Sequence, residues 1–136
     1  MNLSSPTSPP NLLLKISKDV RRRAEPEDGT RILTMRYWPR GVRKDHIDEW
    51  RRELAPSPEL LRWCWDNKDR VDFQEYSATW MHRYREEMEE RVNLIAGLRT
   101  RLGNGETLTL LCACHKLDDC HRLELAKIIC GHNDTA

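Results

Sequence analysis

Cys112, Cys114, His115, Asp118, Asp119, Cys120, His121 and Arg122 fall within eleven residues of one another. They join a short apolar run that starts at Thr107 to a segment with apolar residues at helical spacing that ends at Cys130. Alternate residues of an extended segment point the same way, so Cys112 and Cys114 share a face at the strand end, and Cys120 and His121 return from the turn beside them. Two chemistries are open to this set. Cys112, Cys114, Cys120 and His121 are soft or borderline donors for Zn or Fe, although C-x-C followed by C-H is not the spacing of a standard finger or ribbon. Alternatively, Cys120 is a nucleophile at a helix start, its thiolate favoured by the helix dipole, Arg122 and His121 or His115, with Cys114 or Cys112 able to resolve a disulfide. Asp118 and Asp119 oppose that shift and serve equally well as helix caps. Against both stands a plain structural role: Cys112 and Cys114 as core fillers, His121 bonded to a backbone carbonyl, Arg122 paired with a carboxylate.

A second constellation is Arg36, Arg40, Arg43 and Lys44, interleaved with Tyr37 and Trp38. Guanidinium groups beside aromatic rings can clamp a phosphate or carboxylate and stack a ring. The competing role puts Trp38 in the core and uses the arginines to bridge helix ends.

The elements that must position these groups follow from pattern. Leu12–Ile16 is an apolar strand. A charged connection from Lys18 to Gly29 contains Arg21, Arg22 and Arg23, expected as a solvated face. Arg31–Trp38 is a second strand, stopped by Pro39 and Gly41. A helix is expected from Asp45, with Ile47, Trp50 and Leu54 on one face and Pro56 as its stop. Ser57-Pro58 starts another helix, with Leu60, Leu61 and Cys64 facing inward. Phe73, Tyr76, Trp80, Tyr84 and Met88 mark the core stripe of a long helix. Leu94, Ile95, Leu98 and Leu102 extend the helical pattern to Gly103-Asn104-Gly105. Three strands separated by helical connections require crossovers, hence a mainly parallel sheet with helices on its faces. The loops carrying Arg40 and Cys112 then share the carboxyl rim of that sheet, where α/β proteins bind ligands.

At 136 residues this is one domain, read as 11–131 between a Ser/Pro-rich tail at 1–10 and a short tail at 132–136. Its 23 basic and 22 acidic side chains leave a net charge of +1, which argues against a general nucleic-acid coat and leaves room for a local basic patch. No apolar run approaches the ~18 residues of a membrane span, and no charged and apolar signal opens the chain. Five cysteines, three of them within nine residues, make a poor disulfide framework and suit a reducing, cytoplasmic setting. Neither G-x-G-x-x-G nor G-x-x-x-x-G-K-[ST] follows any strand.

The motifs that remain resemble domain-of-unknown-function family 488. They are Asp28-Gly29-x-Arg31-Ile-Leu, Arg36-x-Trp38-Pro39-Arg40-Gly41, Asp48-x-Trp50 with Leu54-Ala-Pro-Ser57, Phe73-x-x-Tyr76, and Leu110-Leu-Cys112 with Cys120-His121-Arg122. The resemblance spans Leu12 to Cys130. It implies a small three-layer, Rossmann-like α/β domain with helices on both faces, and implies no reaction. A branch of that family with the same W-P-R-G segment lacks cysteines at the positions of Cys112 and Cys120. If that branch does the same job, the thiols are dispensable and weight shifts to the Arg-rich loop and the helix N-terminus; if the branches differ in chemistry, the Cys-rich version has a metal or redox function of its own. The expected function is binding of a small anionic, phosphate- or nucleotide-like ligand between the W-P-R-G loop and the C-x-C/C-H-R turn. Arg36, Arg40, Lys44 and Arg122 would hold the anion and Trp38 would wall the pocket. Cys120 with His121 would be the reactive pair. The alternatives are a Zn, Fe or thiol-redox module on the cysteine set, and a nucleic-acid-associated module.

Overall fold

The computed structural model describes residues 13–17, 20–112 and 121–131. Four strands, β1 (Leu14–Ser17), β2 (Thr30–Leu33), β3 (Glu49–Trp50) and β4 (Leu108–Leu111), form one sheet in the order β1-β4-β2-β3, every pair parallel. Four α-helices, α1 (Pro58–Asn67), α2 (Phe73–Met88), α3 (Val92–Gly103) and α4 (His121–Ile129), complete the described α/β unit. The parallel sheet expected from the crossover pattern is present.

The register puts Leu14, Ile16, Ile32, Leu108 and Leu110 on one face, with the buried side chains of all four helices packed over them. Arg31, Leu33, Thr109 and Leu111 point to the other face. There Val20, Val42, Trp38, Ile47 and Trp50 gather around Leu33 and Leu111. Both faces carry helical structure, but of unequal kind. α-Helices cover the first, whereas connecting chain with 3-10 turns at Pro26–Asp28 and Lys44–His46 covers the second.

Several boundaries differ from the sequence expectation. The helix expected after Asp45 is absent. Its residues form the 3-10 turn Lys44–His46, strand β3 and a second turn at Arg52–Leu54. The open edge of β2 decides this: Asp48 N and Arg51 N donate to Arg31 O and Leu33 O, both at 2.9 Å, and Arg31 N donates to Asp48 Oδ2 at 2.8 Å. Pairing an exposed strand edge outweighs a weak helical period in a segment holding Ile and Trp. β2 stops at Leu33 rather than Trp38, because the neighbouring strands end at the same level. The first strand runs Leu14–Ser17, two residues later at its start and one at its end than expected; Leu12 lies outside the described residues. Phe73 is half exposed, so the buried stripe of α2 begins at Tyr76.

Other expectations hold. Ser57 Oγ accepts from Leu60 N and Pro58 is the first residue of α1. Trp80, Tyr84 and Met88 of α2, with Ile95, Leu98 and Leu102 of α3, are core.

Gly29 marks a tight approach at the amino end of β2. Its φ of 62° is a backbone state that side chains rarely adopt, and a Cβ there would lie 2.1 Å from Thr107 O. Beside it Asp28 accepts from Glu25 N and from the guanidinium groups of Arg22 and Arg31. Burial alone would raise its pKa; the Glu25 amide, Arg22 and Arg31 together hold it below the ordinary carboxylate value. The D-G-x-R string is thus an architectural element, at the end of the sheet away from the expected site.

Candidate functional site

At the carboxyl rim the chain divides. After β4 it enters α4 on the helical face; after β1 and β2 it turns to the opposite face, where Val20 and Val42 pack. Neighbouring strands whose connections leave to opposite sides create a crevice at their carboxyl ends. The first turn of α4 sits over it. His121 Nε2 is 2.6 Å from Thr34 O and 3.2 Å from Thr34 Oγ1, one residue past β2. Arg122 Nη1 donates to Cys112 O at 3.1 Å, one residue past β4.

A carbonyl oxygen only accepts, so Nε2 of His121 carries the hydrogen. Thr34 Oγ1 donates to Leu111 O at 3.1 Å and can receive the other branch of that bond. Any lone pair that neutral His121 offers to chemistry is therefore on Nδ1. The ring is buried and lies 5.6 Å from the ring of Tyr84, whose hydroxyl donates to Leu54 O at 2.6 Å. Glu124 of α4 is buried and paired with Arg85 of α2. Arg99 of α3 donates to Ile128 O and Ile129 O at 2.7 and 2.8 Å, closing the carboxyl end of α4. These contacts set α4 against the strand ends to within a hydrogen bond.

Arg122 is fully buried and Cys112 is buried beside it. Cys114 and Cys120 lie outside the described residues, as do His115, Asp118 and Asp119. Among the described residues, then, Cys112 and His121 are the members of the expected metal set, and with Nε2 engaged His121 would ligate through Nδ1.

The Arg-rich loop is less unified than its spacing suggests. Arg36 donates to Pro56 O and Ala55 O at 3.2 and 3.3 Å. It lines a pocket of about 270 Å³ with Arg91 and the carboxylates of Glu53, Glu59, Glu87 and Glu90, which outnumber the two guanidinium groups and make a poor surrounding for an anion. Trp38 donates from Nε1 to Val42 O at 3.0 Å and meets Trp50 edge-on at 5.3 Å. With Lys44 and Trp50 it lines a separate groove. Arg40 and Lys44 are exposed; Arg43 pairs with Asp45 at 3.1 Å. Arg36 and Trp38 therefore face different cavities.

Sequence reasoning missed Thr34, a plain strand residue by its neighbours. It also missed Arg31, whose buried network is invisible to charge counting.

The family model DUF488-N3a, described as the active DUF488-N3 subclade, matches residues 15–132. This chain belongs to the DUF488-N3a family. Relatives of this DUF488-N3a chain include the uncharacterised protein Rv3073c of Mycobacterium tuberculosis, 34% identical over 109 residues, covering 79% of this chain and 86% of the relative. The uncharacterised protein YeaO of Escherichia coli K12 is also 34% identical, over 114 residues, covering 80% of this chain and 90% of the relative. No solved structure matches the chain, so the Rossmann-like part of the resemblance has no structural relative behind it. No described helix of this DUF488-N3a chain is long and apolar enough to cross a membrane.

Proposed function

We propose that this DUF488-N3a domain binds a small anionic ligand, phosphate-bearing or nucleotide-like, at the carboxyl rim between the Trp38–Lys44 loop and the segment from Cys112 to Arg122. The observation that carries the reading is the placement of the α4 N-terminus over the ends of β2 and β4, through His121 on Thr34 O and Arg122 on Cys112 O. A helix N-terminus presents unpaired N–H groups and a partial positive charge, both suited to an anion. Arg40 and Lys44 are the exposed cations of the expected set. Arg36, held on the carbonyls of Ala55 and Pro56, serves as a brace for the loop.

The reactive group in this reading is Cys120, the residue before the first residue of α4, and His121 Nδ1 is the adjacent base. The family description as an active subclade is consistent with a reactive centre. The test is alkylation of the purified protein with iodoacetamide, followed peptide by peptide as a function of pH. Cys120 should react with a midpoint at least about one pH unit below the ordinary thiol value of ~8.5, and inorganic phosphate should slow it. Reaction at the rate of an ordinary free cysteine, unaffected by phosphate, would reject the site.

A further inference from the structure

A second cationic surface lies on the loop-covered face of the sheet. The run Arg21-Arg22-Arg23 splits. Arg22 turns inward to both carboxylate oxygens of Asp28 at 3.3 Å, while Arg21 and Arg23 line a cleft of about 590 Å³ with Ala24, Arg43, Asp45 and His46. The two walls come from distant parts of the chain, and one buried residue ties them together. Arg31 donates from Nη2 to Arg22 O at 3.0 Å and from Nε to His46 O at 2.7 Å, with Asp28 balancing its charge at 3.1 Å. Arg21 Nη2 adds a bond to Arg40 O at 2.7 Å across the same gap. The cleft therefore has fixed walls before any ligand arrives, which lowers the entropy lost on binding.

Among the described residues, three guanidinium groups face one carboxylate there, on a molecule whose total charge is only +1. That carboxylate, Asp45, belongs to an exposed pair with Arg43 that solvent screens. We propose that this cleft binds phosphate groups, as a single nucleic-acid strand or a small phosphorylated molecule presents them. Guanidinium forks match phosphate oxygens. All four described α-helices pack on the opposite face, so no described helix stands here to enter a duplex major groove. Tyr37, three residues before Arg40 in the adjoining loop, is 64% exposed and suits stacking of an unpaired base. The Arg21–Arg23 wall is not used by the rim reading, whereas Arg43 lies in the Trp38–Lys44 loop that both use.

Fluorescence anisotropy of the full chain with a labelled oligothymidylate, titrated with salt, tests it. Three phosphate contacts predict a fall in affinity of about 20-fold between about 50 and about 200 mM salt. Arg23→Glu and Arg43→Glu should each weaken binding by about fivefold or more and reduce the salt slope by about 0.7. Arg62→Glu, on the exposed side of α1, should leave both unchanged. Displacement by thymidine monophosphate at equal phosphate concentration identifies a small phosphorylated ligand, and displacement by unlabelled strand alone identifies nucleic acid; either result supports the cleft. Absence of saturable binding to both probes, or equal loss in Arg62→Glu, overturns it. Cys120 alkylation should be unchanged in Arg23→Glu, so failure of one site does not imply failure of the other.

Discussion

At the scale of single residues, the polar side chains at the two ends of the sheet do different work. His121 donates to Thr34 O at the carboxyl rim and orients the first turn of α4. Asp28, at the amino end, gathers Arg22, Arg31 and the Glu25 amide. Burial pushes its carboxyl up, but those partners outweigh it and hold the group below the ordinary carboxylate value. A folded-state pKa below the unfolded one means that the carboxylate contributes stability that is fully present above about pH 4 and lost as pH falls through the lower folded value. Asp28→Asn should lower stability at neutral pH and flatten the acid limb of the stability curve. Urea unfolding between pH 7 and about pH 3 measures this, and an acid limb as steep as in the parent would contradict the assignment. The role of Asp28 was only half legible in the sequence: Asp-Gly marks a turn, but nothing local announces a buried guanidinium three residues on.

At the scale of elements, capping and core stripes were legible because they are local. Ser57-Pro58 starts α1 where its chemistry requires, and Glu87 of α2 accepts from Ser57 N at 2.8 Å and from Ser57 Oγ, linking the two helices. Ser57→Ala removes the cap and one side of that link. It should cost about 1–2 kcal/mol in chemical denaturation without altering the fold by circular dichroism. The segment from Asp45 to Leu54 was misread for the opposite reason. Its apolar spacing fits a helix, but its backbone donors are taken by β2, a partner more than ten residues away. A two-residue strand is below the length at which period-2 alternation can be recognised.

At the scale of the whole molecule, Arg31 is the residue on which the loop-covered face depends. It is fully buried and reaches Asp28, Arg22 O and His46 O, so three segments meet on one guanidinium. Arg31→Met removes the buried guanidinium from Asp28 and its hydrogen bonds to Arg22 O and His46 O. The expected loss is about 3–5 kcal/mol. Amide exchange should rise together around Arg22–Gly29 and Arg43–Asp48, more than in α2 and α3. Uniform acceleration across the chain would show that Arg31 merely contributes to global stability.

Composition and pattern alone determined the class of this protein: a parallel α/β unit with a long amphipathic α2, a capped α1 and a strand-to-helix junction rich in Cys, His and Arg. Those features depend on residues near one another in the chain, where period and capping chemistry act. Which arginines share a cavity was decided only by the tertiary structure. Adjacent Arg21 and Arg22 part company, and Arg36 and Trp38 face different cavities, while Arg23 and Arg43 come to line one cleft. Strand order and the crossing of connections set those meetings, and both arise from long-range backbone pairing that no local window of residues contains.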